Sequence, residues 1–333
     1  MMSFKKALLS AALAVGLAAG TAQAAEPMRI ALVVKSLGIG FFEAARNGAE
    51  EAARELGDVE IIYTGPTTTT AEGQIEVINA LISQRVDAIA VSANDPDALA
   101  PSLKRAMQRG IKVISWDSAV APEGRILHLN PSSNALIGET NLKLAADALP
   151  GGEGKVAILS ATATSTNQNT WIEEMKKALP NHPGIDIVTT VYGDDLSDKS
   201  YRETKALLQG HPEVQAIIAP TSVGIVAAAQ AVQDAGKVGQ VYVTGLGLPS
   251  EMAGAIKSGA SKSFAIWNPI DLGYTATMLA YDLVKDDIDE VEPGQKLPAG
   301  RMGEITIEDG AEAAMAEPFT YDASNIDEFA KIF

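Results

Sequence analysis

Short apolar runs rich in β-branched residues alternate with helical segments along almost the whole chain, and this alternation limits the folds that the chain can adopt. The helical segments carry apolar residues three and four positions apart, as at Ile75, Ile78 and Ile82. Continuous apolar runs suit strands that are covered on both faces. The first runs occupy residues 29–34, 59–63, 88–91 and 112–115. Strand followed by helix followed by strand predicts a parallel sheet wound by helices on both sides.

A second series of the same kind begins after Asn130-Pro131. Its apolar runs occupy residues 155–159, 185–192, 216–219, 241–244 and 264–266. A chain of 333 residues also has the length of two domains, each with its own core. We therefore predict an α/β protein with two doubly wound parallel-sheet lobes.

Three dipeptides are candidate crossing points between these lobes, although a proline at such a step can also simply start a helix. They are Asn130-Pro131, Asn268-Pro269 and Leu297-Pro298. The predicted division is a leader at 1–24, a first lobe at 25–130 plus 268–299, and a second lobe at 131–267 plus 300–333.

The first 24 residues have the layout of a cleavable secretory signal. Lys5 and Lys6 precede the uncharged run 7–19, and Ala22-Gln23-Ala24 supplies small residues before the cleavage point. The run is shorter than the roughly 20 residues that a membrane-spanning helix needs. We expect cleavage after Ala24 and a soluble mature chain; the alternative is an apolar helix that stays attached.

The composition limits the compartment and the partners. The sequence has no cysteine, which excludes a lipidated amino-terminal cysteine, disulfides and thiolate chemistry. An exported chain without a lipid tether favours the periplasm. Its net charge of -16 argues against a nucleic-acid partner, because such acidity repels phosphates.

Polar side chains follow the predicted strands, where an open parallel sheet binds its ligand. The set mixes one cation, one anion, amides and hydroxyls, which suits a neutral polyhydroxylated ligand better than a phosphate. Polar residues are also common wherever a loop begins. The positions are Lys35, Asn94, Asp117, the stretch 162–169 with Asn167 and Gln168, the stretch 220–222 with Pro220 and Ser222, and Gly245.

Aromatic residues make up only 5% of the chain, yet several lie near the same strand ends. Phe41, Phe42 and Trp267 are the stronger candidates for the apolar face of a sugar; Trp116 and Trp171 are as easily core residues.

Catalytic and cofactor patterns are absent from the sequence. The three histidines are scattered, Gly38-Ile-Gly40 lacks the third glycine of a dinucleotide loop, and Asp194-Asp195 is interpreted as a solvated turn. We expect no metal, no cofactor and no enzyme activity. A pair of distant carboxylates acting on a carbohydrate stays open as an alternative.

Seven segments together resemble a known family: Ile30-Ala-Leu-Val-Val-Lys-Ser36, Tyr63-Thr-Gly-Pro-Thr67, Val91-Ser-Ala-Asn-Asp-Pro96, Ile114-Ser-Trp-Asp-Ser118, Ser165-Thr-Asn-Gln-Asn169, Ile218-Ala-Pro220 and Ala265-Ile-Trp-Asn-Pro269. The mature chain resembles the type I periplasmic binding proteins, and within them the rhamnose-binding receptors of ABC importers. The resemblance implies a three-crossing hinge between the lobes and closure around a sugar, most simply L-rhamnose. It also implies delivery of the sugar to an inner-membrane permease, and we expect the receptor to act as a monomer.

The same segments are similar to the receptors for autoinducer-2, whose pocket has a lysine, an aspartate, an Asp-Gln pair and a proline. Lys35, Asp117, Gln168 and Pro220 match those positions, whereas Asn167 stands in place of the second aspartate. An ionised carboxylate only accepts hydrogen bonds and an amide also donates, so we favour rhamnose and expect Asn167 to donate to it. Autoinducer-2 and other pentoses or hexoses remain alternatives. A sugar-responsive DNA-binding regulator would carry an amino-terminal DNA-binding helix pair where this chain has an export signal.

Overall fold

The computed structural model describes residues 26–333, so the predicted signal at 1–24 lies outside the described residues. The first stretch, up to residue 130, contains five parallel strands separated by helices. Its elements are β1 (Met28–Val33), α1 (Gly40–Leu56), β2 (Val59–Thr64), α2 (Ala71–Gln84), β3 (Ala88–Val91), α3 (Pro96–Met107), β4 (Lys112–Trp116) and β5 (Leu127–Asn130).

The chain then enters a second sheet with the strand order β7-β6-β8-β9, and it is also parallel. A parallel bridge between Leu246 and Ala265 brings β10 beside β9. The elements of this stretch are α4 (Asn134–Ala148), β6 (Gly154–Ser160), α5 (Thr166–Ala178), β7 (Ile185–Tyr192), α6 (Ser197–Gly210), β8 (Ala216–Ala219), α7 (Ser222–Asp234), β9 (Tyr242–Gly245), α8 (Pro249–Ser258) and β10 (Ser263–Ile266).

The last stretch, from residue 269 onward, packs first against the first lobe and then pairs with the second sheet. Its elements are α9 (Pro269–Lys285), β11 (Lys296–Pro298), β12 (Glu304–Thr306), β13 (Glu312–Ala314), β14 (Phe319–Asp322) and α10 (Ile326–Phe329). Helix α9 packs against α1 so closely that a Cβ on Gly48 or Gly273 would overlap a carbonyl oxygen of the facing helix.

The pairing of the last strands corrects the predicted boundary at residue 300. Strand β13 pairs in parallel with β5, which extends the first sheet to the order β13-β5-β4-β3-β1-β2. Strand β14 pairs antiparallel with β10 of the second sheet. Residues 312–314 therefore belong with the first lobe, and we place the third crossing between β13 and β14.

The predicted fold class, two α/β lobes with parallel sheets, is confirmed. The strands are covered on both faces, as shown by Leu32 and Val33, which are adjacent in β1, point to opposite faces and are both fully buried. Within residues 26–333 no helix is long and apolar enough to cross a membrane. Because all strands of a parallel sheet end at the same edge, each lobe presents its strand ends to the space between the lobes.

Candidate ligand-binding site

A cavity of about 420 Å³, including its mouth, lies between the two lobes. Nine of the ten predicted site residues line it: Lys35, Phe41, Phe42, Asp117, Asn167, Gln168, Pro220, Ser222 and Trp267.

Lys35 follows β1 in the first lobe and is buried. Its Nζ donates to Oδ1 of Asn167 at 3.0 Å and to Oε1 of Gln168 at 3.4 Å, both in the second lobe. Lys35 is the single cation among the described residues that line the cavity. The ammonium group therefore joins the lobes while it stands at the cavity wall.

Asp117 directly follows β4 and has a left-handed backbone with φ of 60°. Its Oδ2 accepts from the Ser92 hydroxyl at 2.7 Å, and its Oδ1 accepts from Nδ2 of Asn167 at 3.0 Å. Burial raises the pKa of this carboxyl, an effect opposed by the ammonium of Lys35. Positive φ is uncommon in residues other than glycine, although aspartate adopts it more often than most.

Asn167 and Gln168 lie in the first turn of α5 and are both buried. The Asn167 amide bridges two side chains of the first lobe, because its Oδ1 accepts from Lys35 while its Nδ2 donates to Asp117. The donor that we expected to face the ligand is thus directed at Asp117 in this structure. Gln168 Nε2 donates to the carbonyl of Pro220, which follows β8, at 3.4 Å.

Aromatic rings form the apolar wall of the cavity. Phe41 and Phe42 meet edge to face at 5.3 Å between centroids, and Trp267 lies 6.3 Å from Phe41 and 5.6 Å from Trp171. Trp171 also lines the cavity, whereas Trp116 is fully buried behind Phe42. Nε1 of Trp267 is buried and has no hydrogen-bond partner within the described part of the chain.

Asn94 is the one predicted site residue that does not line the cavity. Its Nδ2 donates to the backbone carbonyls of Lys35 at 2.9 Å and Thr70 at 3.3 Å. The backbone carbonyl of Asn94 accepts a hydrogen bond from the Thr164 hydroxyl of the second lobe. Asn94 therefore holds the loop of Lys35 and bridges the lobes beside the cavity.

Asp195 lines the cavity, so the interpretation of Asp194-Asp195 as a solvated turn is wrong for its second residue. The turn follows β7, and both residues have a left-handed backbone with φ near 55°. Thr221 donates a hydrogen bond to Oδ1 of Asp195. Burial raises the pKa of the Asp195 carboxyl, again opposed by Lys35.

The sequence contains the signal that would have found Asp195, because the strand-end rule applied to β7 leads directly to this turn. Thr221 lies within the predicted stretch 220–222, although only Pro220 and Ser222 were singled out there. Ile39, Leu246 and Ile266 also line the cavity, and nothing in the sequence distinguishes them from core residues.

The cavity lining combines hydrogen-bonding side chains with apolar ones. Among residues 26–333 no cluster of three or more His, Cys, Asp or Glu side chains is placed to hold a metal ion. His128 lies in the first sheet, and its burial lowers the pKa of the ring to about 3. Its ring nitrogens contact Ser115 and Asn130, away from the cavity.

Comparison with known proteins gives a consistent picture. The family model for the periplasmic binding protein domain matches residues 30–287. The D-ribose/D-allose-binding protein of Pseudomonas aeruginosa is 31% identical over 238 residues, which are 69% of this chain and 73% of that protein. A solute-binding protein of Clostridium phytofermentas, solved with bound L-rhamnose, is 36% identical with a TM-score of 0.87 and covers 92% of this chain and 99% of its own. LsrB of Clostridium saccharobutylicum, solved with AI-2, is 22% identical with a TM-score of 0.85 and covers 90% of this chain and 99% of its own. At this identity the likeness shows the fold alone.

Proposed function

The chain belongs to the periplasmic binding protein domain family, and from this we propose that it is the solute receptor of a sugar ABC importer. In this proposal the mature protein resides in the periplasm and captures one neutral monosaccharide between its lobes. The closed complex then delivers the sugar to a permease in the inner membrane. No chemical change of the sugar is involved.

We propose L-rhamnose as the sugar, and the observation that carries this choice is the likeness to the L-rhamnose-bound protein, which is 36% identical across nearly the whole chain. The cavity chemistry supports it. Asp117 supplies an acceptor and Lys35 a donor for sugar hydroxyls. Phe41, Phe42 and Trp267 supply an apolar wall that suits C–H faces and the C6 methyl group of a deoxy sugar.

Closure of the lobes follows from contacts that cross the cleft. Lys35 bonds to Asn167, Asn167 bonds to Asp117, and the Thr166 hydroxyl donates to the carbonyl of Ala119 at 3.0 Å. A ligand that touches both lobes adds its binding energy to the closed form alone, so its presence shifts the population toward that form.

Autoinducer-2 is the second candidate. It is favoured by Lys35, Asp117, Gln168 and Pro220, which match the pocket of its receptors and line this cavity. Asn167 is the departure from that pattern, because it replaces an acceptor-only carboxylate by an amide.

Thermal-shift and calorimetric titration of the mature protein test the proposal. The panel contains L-rhamnose, L-mannose, D-ribose, D-allose and autoinducer-2. L-Mannose is the matched control, because it differs from L-rhamnose only by a hydroxyl on C6. We expect L-rhamnose to bind most tightly and to be recovered chemically unchanged. Tighter binding of autoinducer-2 or ribose would refute the choice of sugar, and turnover of any sugar would refute the receptor function.

A further inference from the structure

The turn between β7 and α6 brings a second carboxylate to the cavity, on the lobe opposite Asp117. Asp195 follows β7 of the second sheet, while Asp117 follows β4 of the first. Asp195 repels the carboxylate of Asp117, Asp194 repels that of Asp195, and the ammonium of Lys35 attracts both Asp117 and Asp195. Asp117, Asp195 and Lys35 therefore share one electrostatic environment.

The two carboxylates differ in how far their oxygens are already occupied. Both oxygens of Asp117 accept hydrogen bonds, from Ser92 and Asn167. Asp195 accepts through Oδ1 from Thr221, and its Oδ2 accepts no hydrogen bond from any residue between 26 and 333. An ionised carboxylate oxygen at a cavity wall without a partner is an acceptor available for a ligand donor.

The turn is held in place from several sides, which fixes the direction of the Asp195 side chain. The Asp194 amide donates to the carbonyl of Ala161 at 3.1 Å, and the Asp194 carbonyl accepts from the Thr69 hydroxyl of the first lobe at 2.6 Å. Two consecutive non-glycine residues with left-handed backbone are costly, and such conformations persist where the surroundings over-determine them, often at binding sites.

We propose that Asp195 is a specificity-determining ligand contact, whose Oδ2 accepts a hydrogen bond from one hydroxyl of the bound neutral sugar. This inference rests on the proposed sugar-receptor function and deepens it. Together with Asp117 it places acceptors on both lobes, so a ligand must carry hydroxyl donors on two sides. It also disfavours sugar acids, because an anionic ligand would meet two carboxylates and one ammonium.

Four variants separate this role from a structural one. Asp195→Asn removes the charge with almost no change in shape, and Asp195→Gly deletes the side chain while tolerating the positive φ. Asp194→Asn and Asp194→Gly are the matched controls, because they make the same changes in the same turn on a side chain that pairs with Lys199. Circular dichroism and thermal unfolding verify that all four fold.

Calorimetric titration with L-rhamnose and its 1-deoxy, 2-deoxy, 3-deoxy and 4-deoxy analogues supplies the readout. We expect Asp195→Gly to weaken L-rhamnose binding about 10- to 100-fold, the range for a hydrogen bond to a charged group, and the Asp194 variants to stay within about twofold. One deoxy analogue should bind the wild type correspondingly weakly, yet bind Asp195→Gly as well as L-rhamnose does. Such coupling to a single hydroxyl is something that a merely structural residue would not produce.

Two outcomes overturn the proposal: affinity of both Asp195 variants within twofold of the wild type, or deoxy penalties that are the same in Asp195→Gly and the wild type. If the wild type fails to bind L-rhamnose, the choice of sugar in the proposed function fails instead. The contact is then tested in the same way with the tightest-binding sugar of the panel and its deoxy analogues.

Discussion

Substitution of Asn167 by aspartate tests the bridge at the centre of the cavity. The Asn167 amide donates to Asp117 at 3.0 Å and accepts from Lys35 at 3.0 Å, and both partners belong to the opposite lobe. Aspartate keeps the acceptor for Lys35 and loses the donor for Asp117. The variant thus places two acceptor-only groups against each other in the closed form.

The expected magnitude follows from three contributions. A new charge at this position is attracted by Lys35 and repelled by Asp117, each by about 4 kcal/mol at 4 Å and an effective dielectric constant of 20, so these two effects nearly cancel. What remains is the lost hydrogen bond to a charged group, about 1.5 to 3 kcal/mol. We therefore expect the Kd for L-rhamnose to rise about 10- to 150-fold at pH 7.5.

Calorimetric titration measures this change, with Asn169→Asp as the matched control. Asn169 lies in the same turn of α5, but it is only partly buried, and its side-chain amide donates to the carbonyl of Ala163. Lowering the pH should reduce the difference between Asn167→Asp and the wild type, because a protonated carboxyl regains a donor. Fold should be retained, since aspartate is favourable near a helix N-terminus. Equal affinity of variant and wild type at pH 7.5 would show that the Asn167 bridge between Lys35 and Asp117 does not contribute to binding. Asn167 would then serve only as the acceptor for the backbone N–H of Gln168.

Three further predictions concern binding and export. Asp117→Ala should cost about 2 to 4 kcal/mol of sugar binding, because ligand hydroxyls lose their acceptor; unchanged affinity by calorimetry would show that Asp117 makes no ligand contact. The affinity of the wild type for the sugar should fall as the pH is lowered toward 4, because burial raises the pKa of Asp117 and of Asp195 and only the ionised carboxylate is a pure acceptor. The contribution of the two carboxylates to binding is therefore lost as the pH falls through those raised pKa values. An affinity that does not change with pH would contradict this prediction. The protein should appear in the osmotic-shock fraction, shortened by about 24 residues after Ala24, and mass spectrometry showing an intact amino terminus would rule this out.

Much of the fold was readable from local patterns. The apolar runs at 29–34 and 88–91 became β1 and β3 within one or two residues, because β-branched residues between helical segments have few other ways to bury both faces. Lys35 and Asp117 were predicted for the cavity from their place after strands, since strand ends of a parallel sheet meet at one edge.

Other features depended on contacts between residues distant in sequence. Strand β13 has only three residues, and its pairing with β5 joins positions more than 180 residues apart, so no local pattern identified the third crossing. The turn Asp194-Asp195 was interpreted as solvated although it follows β7, and the contacts of its two residues with Thr69 and Thr221 could not be predicted from the local sequence.

Local sequence patterns predict the two-lobe α/β class and most of the polar and aromatic residues at the strand ends, because hydrophobic periodicity and the order of elements are properties of the chain. Which side chains bond to which follows from the packed structure: Asn167 bonds to Lys35 and Asp117, Asn94 to backbone carbonyls, and Asp195 to Thr221. The physical reason is that a hydrogen bond depends on distances and directions of a few tenths of an ångström. Those are set by the packing of one lobe against the other, and no single stretch of sequence contains that information.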